Sequence, residues 1–317
     1  MIFDSSVKNV IDSAYENKTD VFLRMNPPEP LLLISDFSDT AVFLPGSFYT
    51  GDEPCFYDIR RLGDEDFRKS LLESKIRRIV TLFSECADKS EYGYRESFGW
   101  IGEMRAEAAR FIQIVAFLSP CSDSLGICAG LFGSPDVVVL GEKAEPDFNA
   151  FKAVSEKAKF YQTAELVERY AYGRSVVYFN SREEALSFSR FLCKRGTACS
   201  CIDGATSGEE LKNKLTAFYN GSVNILVATK SYIPSSLFYP PERVFFCGAP
   251  FSLSHIARCG CALKSEKPFV VYCEDDVKRN EKIIASFSEK LADGEISGIR
   301  IARLNEMCKM LNIKEKL

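Results

Sequence analysis

The feature that most constrains the fold is a regular alternation of apolar strand-like segments and helix-like segments between residues 173 and 272. Its best-defined part reads strand, helix, strand, helix and strand over 173–182, 183–196, 197–202, 207–221 and 224–229. The strand segments are almost continuously apolar, through Val176, Val177, Ile225, Val227 and Val244. Parallel strands that are buried on both faces have this pattern. The order therefore predicts an α/β fold with a parallel sheet.

Four short motifs in this part of the chain resemble those of the C-terminal half of DEAD-box RNA helicases. The strand that ends in Asn-Ser-Arg at 180–182 resembles the family's Phe-x-Asn-Thr-Arg, and Asp-Gly at 203–204 stands where the family usually has His-Gly. Phe-Tyr-Asn-Gly at 218–221 resembles Phe-x-x-Gly, and the strand at 224–229 resembles the one that leads into Ala-Thr-Asp. Matches in the correct order are more specific than any one motif.

The first half resembles the same family in the same order. Residues 79–87 resemble the strand that delivers Val-Leu-Asp-Glu-Ala-Asp, and 91–96 resemble the Asp-Met-Gly-Phe-x-Glu that follows it. Residues 112–121 resemble the strand that carries Ser-Ala-Thr, and 133–141 resemble the Asp-Pro-Val segment before the second half. The resemblance thus extends over roughly residues 79 to 277.

The resemblance implies two tandem RecA-like lobes with parallel sheets, a shortened first lobe and a helical C-terminal tail. An apolar content of 46% in 317 residues can fill two ordinary cores. We expect an N-terminal lobe, an interlobe linker, a C-terminal lobe and a helical extension over 1–145, 146–171, 172–277 and 278–317. In the first lobe the spacing of apolar residues predicts a helix before the strand Asp20–Arg24, strands at 31–35 and 41–44, and a helix at 64–74. Within the linker we expect Phe151 to Tyr170 to be mostly helical.

Charge and hydropathy restrict the partners and the setting. A net charge of −4 excludes a surface dominated by phosphate contacts, so RNA contacts should be local or weak. The sequence has no stretch close to the roughly 20 apolar residues that span a bilayer, and its start lacks the basic residues of a secretory signal. We therefore expect a soluble intracellular protein with no membrane partner. Its 12 cysteines are expected to be reduced and to pack as small apolar residues.

The loop that would bind phosphates is missing from the sequence. A P-loop uses glycines to bring backbone N–H groups to the phosphates, a lysine to neutralise them and a hydroxyl to hold Mg²⁺. The chain contains no Gly-x4-Gly-Lys-Ser/Thr. The nearest segment, 46–53, ends in Asp52 and Glu53, whose charges would repel a triphosphate. We interpret it as an ordinary turn after the strand at 41–44.

The segment that resembles Val-Leu-Asp-Glu-Ala-Asp has lost its metal-binding carboxylate. Ser84 stands where that aspartate is expected and Ala87 replaces the last acidic residue, which leaves Glu85 alone. Hydrolysis in this family needs a carboxylate for the metal and another to orient water, and Glu85 cannot supply both. These positions are expected to tolerate substitution, with Ser84→Ala costing less than about 1 kcal/mol.

The arginine fingers are also incomplete. Residues 257–264 align with the family's His-Arg-x-Gly-Arg-x-Gly-Arg. Arg258 is retained, Cys261 replaces the central arginine, and Lys264 replaces the last one. An arginine finger acts through a planar fork on developing phosphate charge, which lysine reproduces poorly and cysteine not at all.

Two other groups of residues could form a functional site, but we interpret both as structural. Cys199 with Cys201, and Cys259 with Cys261, could offer four thiolates to zinc, but neither pair has the turn that usually presents such ligands. We interpret them as core thiols and expect no metal. His255 is the one histidine of the chain, and we place it at the surface or between the lobes rather than in catalysis.

The chain is similar in architecture to the digestive-organ-expansion-factor type of small-subunit processome protein, which has helicase-like lobes with degenerate motifs. This resemblance implies an inactive scaffold without a cofactor that binds RNA or protein in an RNA-processing assembly, with ribosome biogenesis in the nucleus or nucleolus as the first expectation. The retained RNA-binding candidates are Ser181, Arg182, Gly204, Thr229 and Arg258. Two alternatives stay open: a highly diverged ATP-dependent RNA helicase that uses ATP and magnesium, and a protein-interaction module without RNA.

Overall fold

The structure is a computed structural model, and its description covers part of the chain. The described residues are 5–25, 39–44, 55–74, 76–82, 84–87, 95–120, 122, 124–143, 147–206, 208–229, 241–250, 253, 255–256, 267–288, 302 and 304–312. The strand predicted at 31–35 and the glycine-containing turn at 46–53 lie outside them. The described residues up to Lys143 form one compact unit, and those from Asp147 onward form a second.

The first unit is built on a parallel sheet with the strand order β3-β2-β4-β5-β1-β6. Its strands are β1 Asp20–Arg24, β2 Thr40–Leu44, β3 Phe56–Asp58, β4 Arg78–Thr81, β5 Gln113–Leu118 and β6 Val137–Leu140. Its helices are α1 Ser5–Glu16, α2 Glu65–Glu73, α3 Arg95–Glu107 and α4 Leu125–Phe132, with 3-10 turns at Ile59–Gly63 and Ser84–Ala87. The central strands β4 and β5 are buried along their whole length, as expected for a parallel sheet that is covered on both faces.

The second unit has a parallel sheet with the strand order β7-β12-β11-β8-β10-β9. Its strands are β7 Asn149–Ala153, β8 Ser175–Phe179, β9 Cys199–Ile202, β10 Ile225–Thr229, β11 Arg243–Cys247 and β12 Phe269–Cys273. Its helices are α5 Glu156–Tyr170, α6 Arg182–Lys194, α7 Gly208–Tyr219 and α8 Glu274–Ser288, and residues 304–312 are also helical. The prediction of an α/β fold with two parallel sheets is confirmed.

The core of the second unit lies between the sheet and the helices α5 and α6. Aromatic rings connect these layers. The Phe160 ring lies 5.1 Å from that of Phe188 on α6, and the Phe245 ring on β11 lies 5.1 Å from that of Phe269 on β12. The strand residues predicted to be apolar and buried, such as Val177 and Val227, belong to this core.

The segment 146–171 differs most from its expectation as an interlobe linker. Residues 149–153 form β7, which pairs with β12 through Phe151 and Val271 and so belongs to the second sheet. The helix begins only after Ser155, whose Oγ accepts a hydrogen bond from the backbone N of Ala158 at 3.2 Å. A serine N-cap fixes the start of a helix in this way. The expectation that 151–170 is mostly helical is confirmed over Glu156–Tyr170, whereas residues 151–153 belong to β7.

Candidate functional site

Ligands of open α/β sheets bind at the carboxyl ends of the strands. Five of the positions predicted from the sequence lie at these ends: Ser84 after β4, Ser181 and Arg182 after β8, Gly204 after β9, and Thr229 at the end of β10. Ala87 lies in the same 3-10 turn as Ser84. The other predicted positions lie outside the described residues: Arg258, Cys261, Lys264 and the side chain of Glu85.

Ser84, which we expected at the position of the metal-binding aspartate, is completely buried. Its hydroxyl is 2.7 Å from the Thr81 hydroxyl and donates a hydrogen bond to the Thr81 carbonyl at 3.1 Å. The Cys128 thiol of α4 donates to the Ser84 carbonyl at 3.2 Å. Ala87 of the same 3-10 turn is also buried. This turn is packed into the lobe, where its hydroxyl is satisfied internally.

The turn after β5 continues this hydroxyl-lined edge. The Ser122 backbone N donates to the Ser119 carbonyl at 2.9 Å, and the Ser124 backbone N donates to the Ser122 hydroxyl at 3.1 Å. All three serines are buried. Magnesium in phosphoryl-transfer sites is held by carboxylates. Among the described side chains that directly follow β4 and β5, serine hydroxyls are found and carboxylates are not.

In the second lobe, Ser181 is the N-cap of α6. Its hydroxyl accepts from the Glu184 backbone N at 3.2 Å and donates to the Glu184 carboxylate at 2.8 Å. This arrangement is a serine N-cap, which is a structural use of the residue. The adjacent Arg182 side chain is exposed, and its Nε lies 2.5 Å from Oδ2 of Asp203. The structure therefore joins the turns after β8 and β9 by an ion pair.

Asp203 is held as a carboxylate by its surroundings. Partial burial raises its pKa, but hydrogen bonds from the Ala205 backbone N and the Thr206 hydroxyl, together with the Arg182 charge, lower the pKa below its usual value. Asp203 therefore neutralises Arg182 at neutral pH. Gly204 in the same turn is exposed, whereas Thr229 is buried. Of the described RNA-binding candidates, Arg182 and Gly204 face solvent.

Sequence reasoning missed a buried ion pair at the same edge. Lys159 of α5 is 2% exposed, and its Nζ lies 3.0 Å from each carboxylate oxygen of Asp276, which is fully buried. Glu156 lies 2.5 Å from the same Nζ, and Arg279 donates to Asp276 at 2.9 Å. Burial lowers the Lys159 pKa, but the Asp276 and Glu156 carboxylates outweigh it and raise the pKa above its usual value. No local pattern could have revealed this pair, because 117 positions separate Lys159 from Asp276.

Backbone groups close around this ion pair. The Cys273 backbone N donates to Asp276 at 3.0 Å, and Asn180 donates through Nδ2 to the Ala249 carbonyl at 2.9 Å. Gly248 adopts a φ of +106°, and a Cβ there would meet the Asn180 amide nitrogen at 3.0 Å and an Asp276 oxygen at 3.2 Å. The ends of β8, β11 and β12 are thus fixed by one polar network.

One group with possible metal ligands occurs among the described residues: Glu156, Cys273 and Asp275. Burial raises the pKa of the Cys273 thiol to about 11, and Glu156 is already paired with Lys159. A neutral thiol and a carboxylate neutralised by a lysine are poor ligands for a cation. The group fits the polar network better than a metal centre.

The structure tests the expectations for His255 and for the Cys-x-Cys pair on β9. Of the two positions expected for His255, at the surface or between the lobes, the surface position is wrong, because His255 is 6% exposed. Its ring lies 5.0 Å from that of Tyr178 and 5.3 Å from that of Phe246. Cys199 and Cys201 are half-buried on an edge strand and pack against the core of the second unit.

Part of the second unit matches a known protein family. Residues 158–233 match the family described as helicase conserved C-terminal domain. The match includes α5 to β10 and therefore Lys159, Arg182 and Asp203. No curated protein sequence matches the chain significantly.

Solved helicases share the fold over most of the chain. The DUF1998 helicase MrfA bound to DNA and AMPPNP aligns with a TM-score of 0.62 and 12% identity, over 90% of this chain and 50% of MrfA. Mycobacterium smegmatis Lhr bound to ssDNA and AMP-PNP aligns with a TM-score of 0.58 and 14% identity, over 87% and 43%. S. cerevisiae Dbp5 bound to RNA and ADP BeF3 aligns with a TM-score of 0.57 and 13% identity, over 94% and 81%. The two lobes therefore have the RecA-like fold of helicases, although the chain spans half or less of MrfA and Lhr.

No helix among the described residues is both long and apolar enough to cross a bilayer.

Proposed function

We propose that this chain is a catalytically inactive, helicase-like scaffold that binds RNA weakly within an RNA-processing assembly, with ribosome biogenesis as the first process to test. The observation that carries the proposal is the burial of Ser84 at the position of the metal-binding aspartate. Its hydroxyl is bonded to Thr81, and Cys128 covers its carbonyl. A metal would have to replace these contacts without gaining a carboxylate.

The second lobe supports the same proposal from another direction. Its described strand ends are bound to one another by the Lys159–Asp276 and Arg182–Asp203 pairs. Positive groups that are already neutralised by carboxylates offer little to a triphosphate, since phosphate binding depends on uncompensated charge and free N–H groups. We infer that the fold has been kept and that nucleotide chemistry has been lost.

Nucleic-acid binding is proposed from the relatives and from the exposed edge. MrfA and Lhr were solved bound to DNA and Dbp5 bound to RNA. In this chain Arg182 and Gly204 supply a solvent-facing cation and an exposed glycine turn at the carboxyl edge of the second sheet. With a net charge of −4 and Asp203 beside Arg182, we expect weak, sequence-independent binding that salt suppresses strongly.

Turnover of ATP tests the inactive part of the proposal. We expect no ATP hydrolysis above background with purified protein, RNA and magnesium, because the loop, the carboxylate and the arginine finger needed for it are absent from the sequence. The matched control is Glu85→Gln, which removes the one acidic residue left in that motif. RNA-stimulated, magnesium-dependent turnover that disappears in Glu85→Gln would favour the diverged-helicase alternative.

The RNA-binding part is tested with charge variants of the Arg182–Asp203 pair. Arg182→Ala should weaken RNA binding, and Asp203→Asn should strengthen it because the arginine is released from its partner. Arg195→Ala is the matched control, since Arg195 lies beyond the C-terminal end of α6, is similarly exposed and is paired at 2.5 Å with Glu168. If Arg182→Ala and Asp203→Asn leave crosslinking to RNA unchanged, the protein-only module becomes the better proposal.

The process is tested by purifying the protein from its own cells with its partners. Pre-ribosomal RNA and small-subunit assembly proteins should accompany the chain. Recovery of a different RNA-processing assembly would keep the scaffold proposal and replace the process. Recovery without any RNA would contradict RNA binding.

A further inference from the structure

Two cysteine thiols at the end of α6 lie close enough together to react with each other. Cys193 is exposed in the last turn of the helix, and Cys199 is half-buried as the first residue of β9. Their sulfur atoms are 3.0 Å apart, about 1 Å more than the roughly 2.0 Å of a sulfur–sulfur bond. Neither residue belongs to the strand ends described above.

The local fold holds this pair together. Gly196 adopts a φ of +84°, a left-handed conformation that glycine takes without strain, and it reverses the chain after the helix. The Gly196 backbone N donates to the Cys193 carbonyl at 3.0 Å, and the Thr197 backbone N donates to the Leu192 carbonyl at 3.1 Å. The Cys199 thiol then donates to the Ser189 carbonyl of α6 at 3.1 Å. The two thiols therefore face each other because of fixed backbone contacts.

We propose that Cys193 and Cys199 form a reversible disulfide that ties the C-terminal turn of α6 to the edge strand β9. This modification site is independent of the proposed scaffold function. Disulfides rarely persist inside cells, so the bond would form under oxidants such as peroxides and be reduced by small thiols.

The reaction balances in two steps. The Cys193 sulfur attacks one oxygen of hydrogen peroxide, the O–O bond breaks, and Cys193 becomes a sulfenic acid while water leaves. The Cys199 sulfur then attacks the Cys193 sulfur, the S–O bond breaks, and the Cys199 proton leaves with the hydroxyl as a second water. Two thiols lose two electrons in total, and one peroxide is reduced to two waters. Cys193 reacts first because it is exposed, whereas burial raises the pKa of the Cys199 thiol to about 12.

Peptide mapping tests the bond directly. The reduced, folded protein is treated with hydrogen peroxide, its remaining thiols are alkylated, and it is digested with trypsin without reduction. Cleavage after Arg190, Lys194 and Arg195 places Cys193 in peptide 191–194 and Cys199 in peptide 196–212. Fragment ions that separate Cys199 from Cys201 then identify the partner.

We expect Cys193 to be linked to Cys199 about tenfold more often than to Cys201, because the folded geometry presents one sulfur at bonding range. In denaturant this preference should disappear. Cys201→Ser is the matched control on the same strand and should keep the link, whereas Cys199→Ser should abolish it. Treatment of the oxidised protein with dithiothreitol should restore both thiols.

Three results would overturn the proposal. The first is that Cys193 is recovered as sulfenic acid or as alkylated thiol, without a link to peptide 196–212. The second is that Cys193 is linked equally often to Cys199 and to Cys201 in the folded protein. The third is that dithiothreitol does not reverse the link. A far-ultraviolet circular dichroism spectrum of each variant checks that a lost link is not caused by unfolding.

Discussion

Both lobes bury charged side chains at the amino ends of their strands, including Arg243 at the first position of β11 in the second lobe. Among the described residues, the buried ion pair at the carboxyl end lies in the second lobe. In the first lobe, Asp20, Arg78 and Gln113 are buried at the first positions of β1, β4 and β5, which is the amino end of the strands. In the second lobe, Lys159 and Asp276 are buried beside Gly248 and Cys273, at the carboxyl end. The carboxyl end is where ligands bind in this class of fold.

The first-lobe network connects the starts of neighbouring strands to helices. Asp20 accepts from Arg105 of α3 at 2.8 Å and from the Ile114 backbone N at 2.7 Å. Arg78 donates to the Gln113 side chain at 2.9 Å. Groups at this end stabilise the lobe without occupying a ligand edge.

The difference between the lobes bears on the proposed loss of nucleotide chemistry. Charges at the amino end are compatible with any activity, because they lie away from the ligand edge. Charges that neutralise one another at the carboxyl end of the second sheet leave less uncompensated charge to bind a ligand. A buried ion pair often adds little net stability, but removal of one partner is costly. The second-lobe pair therefore fixes the strand ends in one arrangement, which is consistent with the proposed scaffold.

Breaking the second-lobe pair should have the largest effect. Lys159→Ala leaves the fully buried Asp276 with Arg279 as its main charged partner, and we expect a loss of about 3–5 kcal/mol in the free energy of unfolding. Denaturant melts measure this loss. In the first lobe, Asp20→Ala should cost a similar amount, because Arg105 loses its buried partner.

A double substitution sharpens this comparison. Lys159→Met with Asp276→Leu removes both charges, so it should recover part of the stability lost in Lys159→Ala. Recovery should be incomplete, since Asp276 also accepts from the Cys273 backbone N at 3.0 Å. A Lys159→Ala variant as stable as the original chain would contradict a structural role for the pair.

A core truncation should come next in size. Ile225 of β10 belongs to the second-lobe core, and Ile225→Ala should cost about 2–5 kcal/mol through the cavity it creates. The matched first-lobe variant is Ile114→Ala on the buried strand β5. If the lobes unfold as separate units, each variant should shift one of two transitions in calorimetry. A shift of both transitions by either variant would mean that the lobes unfold together.

The sequence predicted strands and helices well where a local signal exists. Val176, Val177, Ile225 and Val227 lie in buried strands as expected, because a parallel strand covered on both faces is apolar at successive positions. The edge strand β7 was missed, since its residues alternate only weakly between exposed and buried and precede a helix. The available signal was Ser155, the N-cap of the helix that follows β7.

The site was less predictable than the fold. Ser84 was identified from its place in a motif, but its burial depends on Thr81 and on Cys128 of a helix that lies 44 residues further along. Such tertiary contacts leave no trace in local spacing. The pairing of Cys193 with Cys199 was also invisible, because it depends on the left-handed turn at Gly196.

The contacts of Ser84 raise the expected cost of its substitution. From the sequence alone Ser84→Ala should cost less than about 1 kcal/mol, but its hydroxyl is the 2.7 Å partner of the buried Thr81 hydroxyl. Removing it leaves that hydroxyl short of a partner, and we expect a loss of about 1–3 kcal/mol in denaturant melts. Thr81→Val with Ser84→Ala removes both hydroxyls and should be closer to neutral. A neutral single variant would instead indicate that the position is open to solvent.

The smallest expected effect is the acid dependence of the Arg182–Asp203 pair. The pKa of Asp203 in the folded chain lies below its usual value of 3.8. As the pH falls below about 4–5, Asp203 therefore binds fewer protons in the folded state than in the unfolded state. The charged carboxylate stabilises the fold above that range, and this stabilisation is lost as the pH falls through the folded pKa. Asp203→Asn should flatten this part of the dependence, with a cost at neutral pH below about 1 kcal/mol because the arginine is exposed. Arg182→Gln should flatten it in part, since the hydrogen bonds from Ala205 and Thr206 remain. Denaturant melts between pH 3 and pH 7 measure the slopes. An acid slope that is identical in the original chain and in both variants would mean that the turns after β8 and β9 are not held together by this charge, and that Arg182 is available to a phosphate after all.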